Sequence, residues 1–94
     1  MTKHHAVTNV DTTVRAVLRD ILALDAGRVA AFTDDTGLFG TLPELDSMAV
    51  AGVLTEIEDR LHILIEDDEV DGEMLETFGA LRRFAEAKVA ARAG

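Results

Sequence analysis

Leu45-Asp46-Ser47-Met48-Ala49-Val50-Ala51-Gly52-Val53-Leu54 is the stretch on which the reading of this chain turns. The segment before it holds Gly40 and the only proline, Pro43, and reads as loop. From Ser47 onward the apolar positions Val50, Ala51, Val53, Leu54, Ile57 and Leu61 recur at helical spacing. Asp46 sits where a helix N-cap belongs, because its carboxylate can accept from the free N–H groups of the first turn. Ser47 then falls on that turn. A short hydroxyl at a helix start is reachable from solvent, and unpaired N–H groups together with the helix dipole favour an added anion beside it. A capped helix with no chemistry has the same local sequence, so the junction must be weighed with the rest of the chain.

Working outward, 94 residues with 48% apolar content make one folded domain with a modest core of Val, Leu, Ile and Ala, since Trp and Tyr are absent. Eighteen acids against nine bases give a net charge of −9, which works against nucleic-acid binding. It suits a soluble monomer that meets basic partners, or simply a soluble one. With no cysteine, disulfides, thiolate nucleophiles and thiolate metal sites are excluded, so any thiol chemistry must be imported. No apolar run is long enough to span a membrane, and the N-terminus lacks a signal-like apolar region, so the expected location is the cytoplasm.

Residues 1–9 are polar and expected to be loose, residues 10–91 to form the domain, and residues 92–94 to be a tail. A first helix is predicted from about Val10 to Leu24 on Val14, Val17, Leu18, Ile21 and Leu22. Residues 26–46 make a long connection anchored by Val29, Phe32, Leu38, Phe39 and Leu42, with room for one helical turn near Val29–Thr33. The second helix runs from Ser47 to about His62, and Gly52 in its interior hints at close approach by a neighbour. Glu66-Asp67-Asp68-Glu69 reads as a solvated loop, because a calcium loop needs alternating acids and a turn glycine. Asp71 can cap a short third helix over Gly72–Leu75. A fourth begins near Glu76-Thr77 and ends near Ala91, facing inward with Phe78, Leu81, Phe84, Ala85, the Lys88 stem and Val89. The expected fold is all-α: a small four-helix bundle with three longer helices, one short one, and a long loop between the first two.

Intrinsic catalysis finds no geometry. Ser47 and His62 stand at opposite ends of one helix, roughly 22 Å apart at about 1.5 Å per residue, too far to act as nucleophile and base. The residues predict neither a catalytic group nor a metal site. What they do resemble is the acyl carrier protein family of phosphopantetheine-binding domains. The resemblance rests on Phe39 ahead of Leu45-Asp46-Ser47-Met48, on the helix bearing Glu56, Glu58 and Asp59, on the acidic turn Asp67-Asp68-Glu69, and on Thr77-Phe78-Gly79-Ala80-Leu81. It covers about residues 10–90.

The resemblance implies a stand-alone carrier that is not an enzyme. Ser47 would bear a 4′-phosphopantetheine arm, attached from coenzyme A by a phosphopantetheinyl transferase that uses Mg²⁺. Acyl or aminoacyl groups would ride on it as thioesters. Asp46 corresponds to the position that helps recruit the transferase. Met48 would stand beside the arm or pack into the core. Glu56, Glu58 and Asp59 would meet a loading ligase, synthase or transferase with a basic docking surface, or be a solvated helix face. Family members of fatty-acid synthesis carry acids where this chain has Ala49 and Gly52. That departure points to a specialised carrier, of polyketide, peptide, aminoacyl or cell-envelope pathways. The alternative is a carrier-like binding module with Ser47 unmodified.

Overall fold

Apolar residues spaced three and four apart decide which segments of this chain coil, and the same residues decide how the coils meet. The structure, a computed structural model, describes the backbone of residues 2–93 and the side chains of residues 10–92. It contains α1 (Thr2–Leu22), a single-turn α2 (Ala26–Ala30), α3 (Ser47–Leu61), a 3₁₀ turn η1 (Asp67–Glu69) and α4 (Phe78–Ala93). The bundle is all-α, with the long connection between its first two long helices. Helix α1 is the hub and packs against α2, α3 and α4. Its stripe Val10, Val14, Val17, Leu18 and Leu22 is buried with Val53, Leu54, Ile57 and Leu61 of α3 and Phe78, Leu81, Ala85 and Val89 of α4. Phe78 is fully buried, and the Arg15 guanidinium lies 4.5 Å from its ring centroid. Arg15 also donates to the Val29 carbonyl (2.8 Å), which ties α2 to α1.

Several boundaries differ from the sequence expectation. Helix α1 starts at Thr2 rather than Val10, because an apolar stripe marks only the part of a helix that packs, and a nucleated helix extends at low cost. The single turn in the connection falls at Ala26–Ala30, where Asp25 accepts from the Gly27 and Arg28 amides (2.9 and 3.2 Å). Gly72–Leu75 is a series of turns, although Asp71 does accept from the Met74 amide (2.9 Å). The short helical element lies earlier, in the acidic run. There Glu69 Oε1 accepts from the Glu66 amide (2.9 Å) and from Lys88 Nζ (2.8 Å), so the run is tied back onto α4. Two expected inward residues point out: Ala51 is exposed, and so is Phe39, whose neighbour Leu38 takes the buried place. The chain turns at Phe39 and Gly40, so Leu38 faces the core and Phe39 faces away from it.

The long connection is held by the start of α4. The first N–H groups of a helix have no intrahelical acceptor. Here Phe78 donates to the Thr36 carbonyl (2.8 Å) and Gly79 to that of Asp34 (3.0 Å). In return Leu38 and Phe39 donate to the carbonyls of Glu76 (2.8 Å) and Leu75 (2.9 Å). Thr77 Oγ1 accepts from the Ala80 amide (3.1 Å) and completes the cap. The approach is close enough that a Cβ on Gly79 would stand 2.8 Å from the Asp34 carbonyl oxygen and 2.9 Å from its Cα. Arg82 pairs with the Asp34 carboxylate, and Arg83 reaches it at 3.7 Å. Beyond this clip, Leu42 and Leu45 re-enter the core and bring the chain to α3.

Two glycines therefore carry opposite expectations. Gly79→Ala drives a methyl into backbone and is expected to lose about 2–3 kcal/mol in urea unfolding. Gly52→Ala is expected to gain about 0.5–1 kcal/mol, since its Cβ meets only Ile21 Cγ2 at 3.4 Å and helix propensity favours alanine. Hydrogen bonding from Arg82 holds the Asp34 carboxyl below its ordinary value. Such a group stabilises the fold above the unfolded pKa, and its contribution fades as pH falls through the folded one. Asp34→Asn should lower the thermal midpoint at neutral pH, and its difference from the parent chain should narrow as the pH falls below the ordinary carboxylate range.

Candidate functional site

The start of α3 is built by a buried leucine and a carboxylate cap. Leu45 is buried, which fixes the chain immediately before the helix. Asp46 follows in extended conformation (φ −94°, ψ −177°), and its Oδ1 accepts from the Ala49 amide at 2.9 Å. Its own carbonyl accepts from Val50 at 2.9 Å, the first helical hydrogen bond. Ser47 is thus the first helical residue, and it is exposed. Met48 is 85% exposed, so it does not pack into the core. Asp46 takes the amide of Ala49 among the first-turn donors, which leaves those of Ser47 and Met48 at the helix end that favours anions.

From Ser47 a groove of about 480 Å³ runs along α3. Val50, Ala51 and Leu54 form one wall, and Ile65 and Val70, beyond the helix, form the other. The second wall is set by how α3 ends. His62 closes the helix in the left-handed conformation (φ 56°, ψ 47°), its amide donating to the Glu58 carbonyl. The chain then turns back, and the Ile65 amide donates to Glu58 Oε2 at 2.7 Å. A second groove of about 500 Å³ lies on the loop side of Ser47, bordered by Phe39, Leu42, Pro43 and Leu45.

The acidic residues expected on α3 are used unequally. Glu56 pairs with Arg60 (3.1 Å), whose other arm reaches Asp20 on α1 (3.1 Å). Arg60 and then Arg19 hold the Asp20 carboxyl below its ordinary value. Glu58 is half-buried and engaged with Ile65, while Asp59 is exposed and makes no ion pair among the described residues. Ser47 and His62 lie at opposite ends of α3, so the structure does not bring them together. Among the described residues no three His, Asp or Glu side chains are grouped to hold a metal. Sequence reading set Phe39 inward as a loop anchor and missed the far wall of Ile65 and Val70. The available signal was the apolar run Ile63-Leu64-Ile65 directly after α3, of which the structure buries Ile63, exposes Leu64 and half-buries Ile65.

No protein-family model matches the chain, and no curated protein does either. Among solved structures it is similar to a holo acyl carrier protein from Nitrosomonas europaea. The two share 38% identity, with 86% of this chain and 95% of that one covered, and superpose with a TM-score of 0.77. The chain belongs to the acyl carrier protein family. In this carrier the serine singled out by sequence is the exposed first residue of α3, with a groove of mixed polar and apolar lining on either side of it.

The cap separates two effects of Asp46. Asp46→Ala is expected to lose about 1 kcal/mol in urea unfolding, whereas Asp46→Asn, which can still accept from Ala49, should lose less than half of that.

Proposed function

We propose that Ser47 Oγ is the attachment point of a 4′-phosphopantetheine arm, through which the carrier holds acyl or aminoacyl groups as thioesters and presents them to other enzymes. The observation that carries this reading is the exposure of Ser47 on the first turn of a capped helix, at the mouth of a groove along α3. The residues suit the group. The hydroxyl is open to a transferase, and the free amides and dipole of the helix start favour a phosphodiester there. The chain has no cysteine, so the thiol that bears the cargo is that of the arm. The groove walled by Val50, Leu54, Ile65 and Val70 offers the arm and the first atoms of its cargo an apolar surface.

On this reading the chain catalyses nothing. A tethered cargo acts at high effective concentration for each enzyme that visits it, and that is its contribution. A phosphopantetheinyl transferase, using coenzyme A and Mg²⁺, loads the arm. A ligase, synthase or acyltransferase then loads the cargo. Asp46 and Met48 flank the attachment point, and Glu56 and Asp59 supply negative charge for steering a basic partner. Glu58 acts on the same face by holding the groove wall at Ile65. The neutral first turns of α3, Met48 to Gly52, favour a dedicated carrier over one of general fatty-acid synthesis.

Incubation of the apo chain with a broad-specificity phosphopantetheinyl transferase, Mg²⁺ and coenzyme A, followed by intact-mass spectrometry, is expected to show one phosphopantetheine adduct that Ser47→Ala abolishes. No adduct, or one that survives Ser47→Ala, would overturn the assignment.

A further inference from the structure

The groove that starts at Ser47 carries charge of one sign only. Val50, Ala51 and Leu54 form its first stretch on α3, and Thr55 and Glu58 follow them along the helix. Ile65, Asp67 and Val70 stand opposite. Its polar side chains are thus two hydroxyls and two carboxylates, and no lysine, arginine or histidine lines it.

Elsewhere on this fold an acid that faces another element commonly meets a cation: Asp20 meets Arg60, Glu44 meets Arg28 and Glu69 meets Lys88. Among the described residues Glu58 and Asp67 meet none. Glu58 is held in place all the same, because its Oε2 accepts from the Ile65 amide at 2.7 Å. A hydrocarbon laid over these carboxylates would strip water from them and return nothing, whereas a cation between apolar walls gains from their field. The reach of the tether agrees. At about 1.2 Å per bond of extended chain, the roughly fourteen bonds from Ser47 Oγ to the thiol of a 4′-phosphopantetheine arm span about 16 Å. From Ser47 to Glu58 the helix covers about 16 Å at about 1.5 Å per residue. The arm is therefore long enough to bring the first atoms of its cargo to the level of Glu58.

We propose that this carrier bears a short cargo with an amine, as an aminoacyl thioester has, whose ammonium group is held by the carboxylates of Glu58 and Asp67 in the groove along α3. This rests on Ser47 being the attachment point.

The test loads the full apo chain from alanyl-, propionyl- and octanoyl-coenzyme A with a broad-specificity phosphopantetheinyl transferase and verifies each adduct by intact mass. Alanyl and propionyl groups differ only by the amine. Thermal midpoints are read at about pH 6, where that amine is a cation. Relative to the arm without cargo, the alanyl form is expected to melt about 2–4 °C higher and the propionyl form within about 1 °C, as one partly exposed ion pair gives in a domain of this size. Glu58→Gln, which can still accept from Ile65, and Asp67→Asn should each remove about half of the alanyl shift, and about 0.5 M NaCl should remove most of it. Each variant is compared with its own cargo-free form, so a change in its fold stability cancels. The amide resonances of Ile65 and Val70 should move with alanyl cargo and stay with propionyl. Equal midpoints and resonances for the alanyl and propionyl forms, or a larger shift from octanoyl cargo, overturn the inference and leave the attachment at Ser47 standing. If no form takes an adduct, the attachment reading fails and the cargo assignment falls with it.

Discussion

The rest of this structure depends on the exchange of four backbone hydrogen bonds between the long connection and the start of α4. A helix start needs acceptors for its amides, and a long loop needs something to hold it. Here each meets the need of the other: Phe78 and Gly79 donate to Thr36 and Asp34, while Leu38 and Phe39 donate to Glu76 and Leu75. The fit at Gly79 leaves no room for a side chain, so the backbones touch directly. With the loop fixed at this point, Leu38, Leu42 and Leu45 enter the core in turn, and the chain reaches Asp46 in the extended conformation that a cap requires.

Charge follows the same logic of joining elements. A chain with twice as many acids as bases repels itself, and single surface ion pairs contribute little. Several of the bases are placed where an acid from another element can meet them. Arg60 on α3 reaches Asp20 on α1, Lys88 on α4 reaches Glu69 in η1, and Arg28 in α2 reaches Glu44 in the loop. Each pairing holds a carboxyl below its ordinary range through hydrogen bonding to the cation. Charge that sequence alone would assign to the outside world is in part consumed by the fold.

Much of the fold was legible because α1, α3 and α4 write their buried faces in helical period. Val53, Leu54, Ile57 and Leu61 needed no structure to be placed inside. The Asp46 cap and the position of Ser47 were equally readable, since a cap is a local interaction between neighbours in sequence. The details that were not legible depend on partners far along the chain. Whether Leu38 or Phe39 turned inward was decided by their hydrogen bonds to Glu76 and Leu75, far along the chain. The helical turn appeared at Asp67–Glu69 rather than Gly72–Leu75 because Glu69 caps Glu66 and reaches Lys88 on α4. The far wall of the groove exists because the Glu58 carboxylate captures an amide seven residues on.

The buried side chain of Leu45 has a mechanical consequence. It and the first hydrogen bond of α3 clamp the backbone on both sides of Ser47. The post of any tether attached there is stationary with respect to the body of the domain. Its free end then sweeps a volume centred on one point of the surface, with a radius set by the tether alone. A protein docked beside that post would have a group on such a tether within that radius.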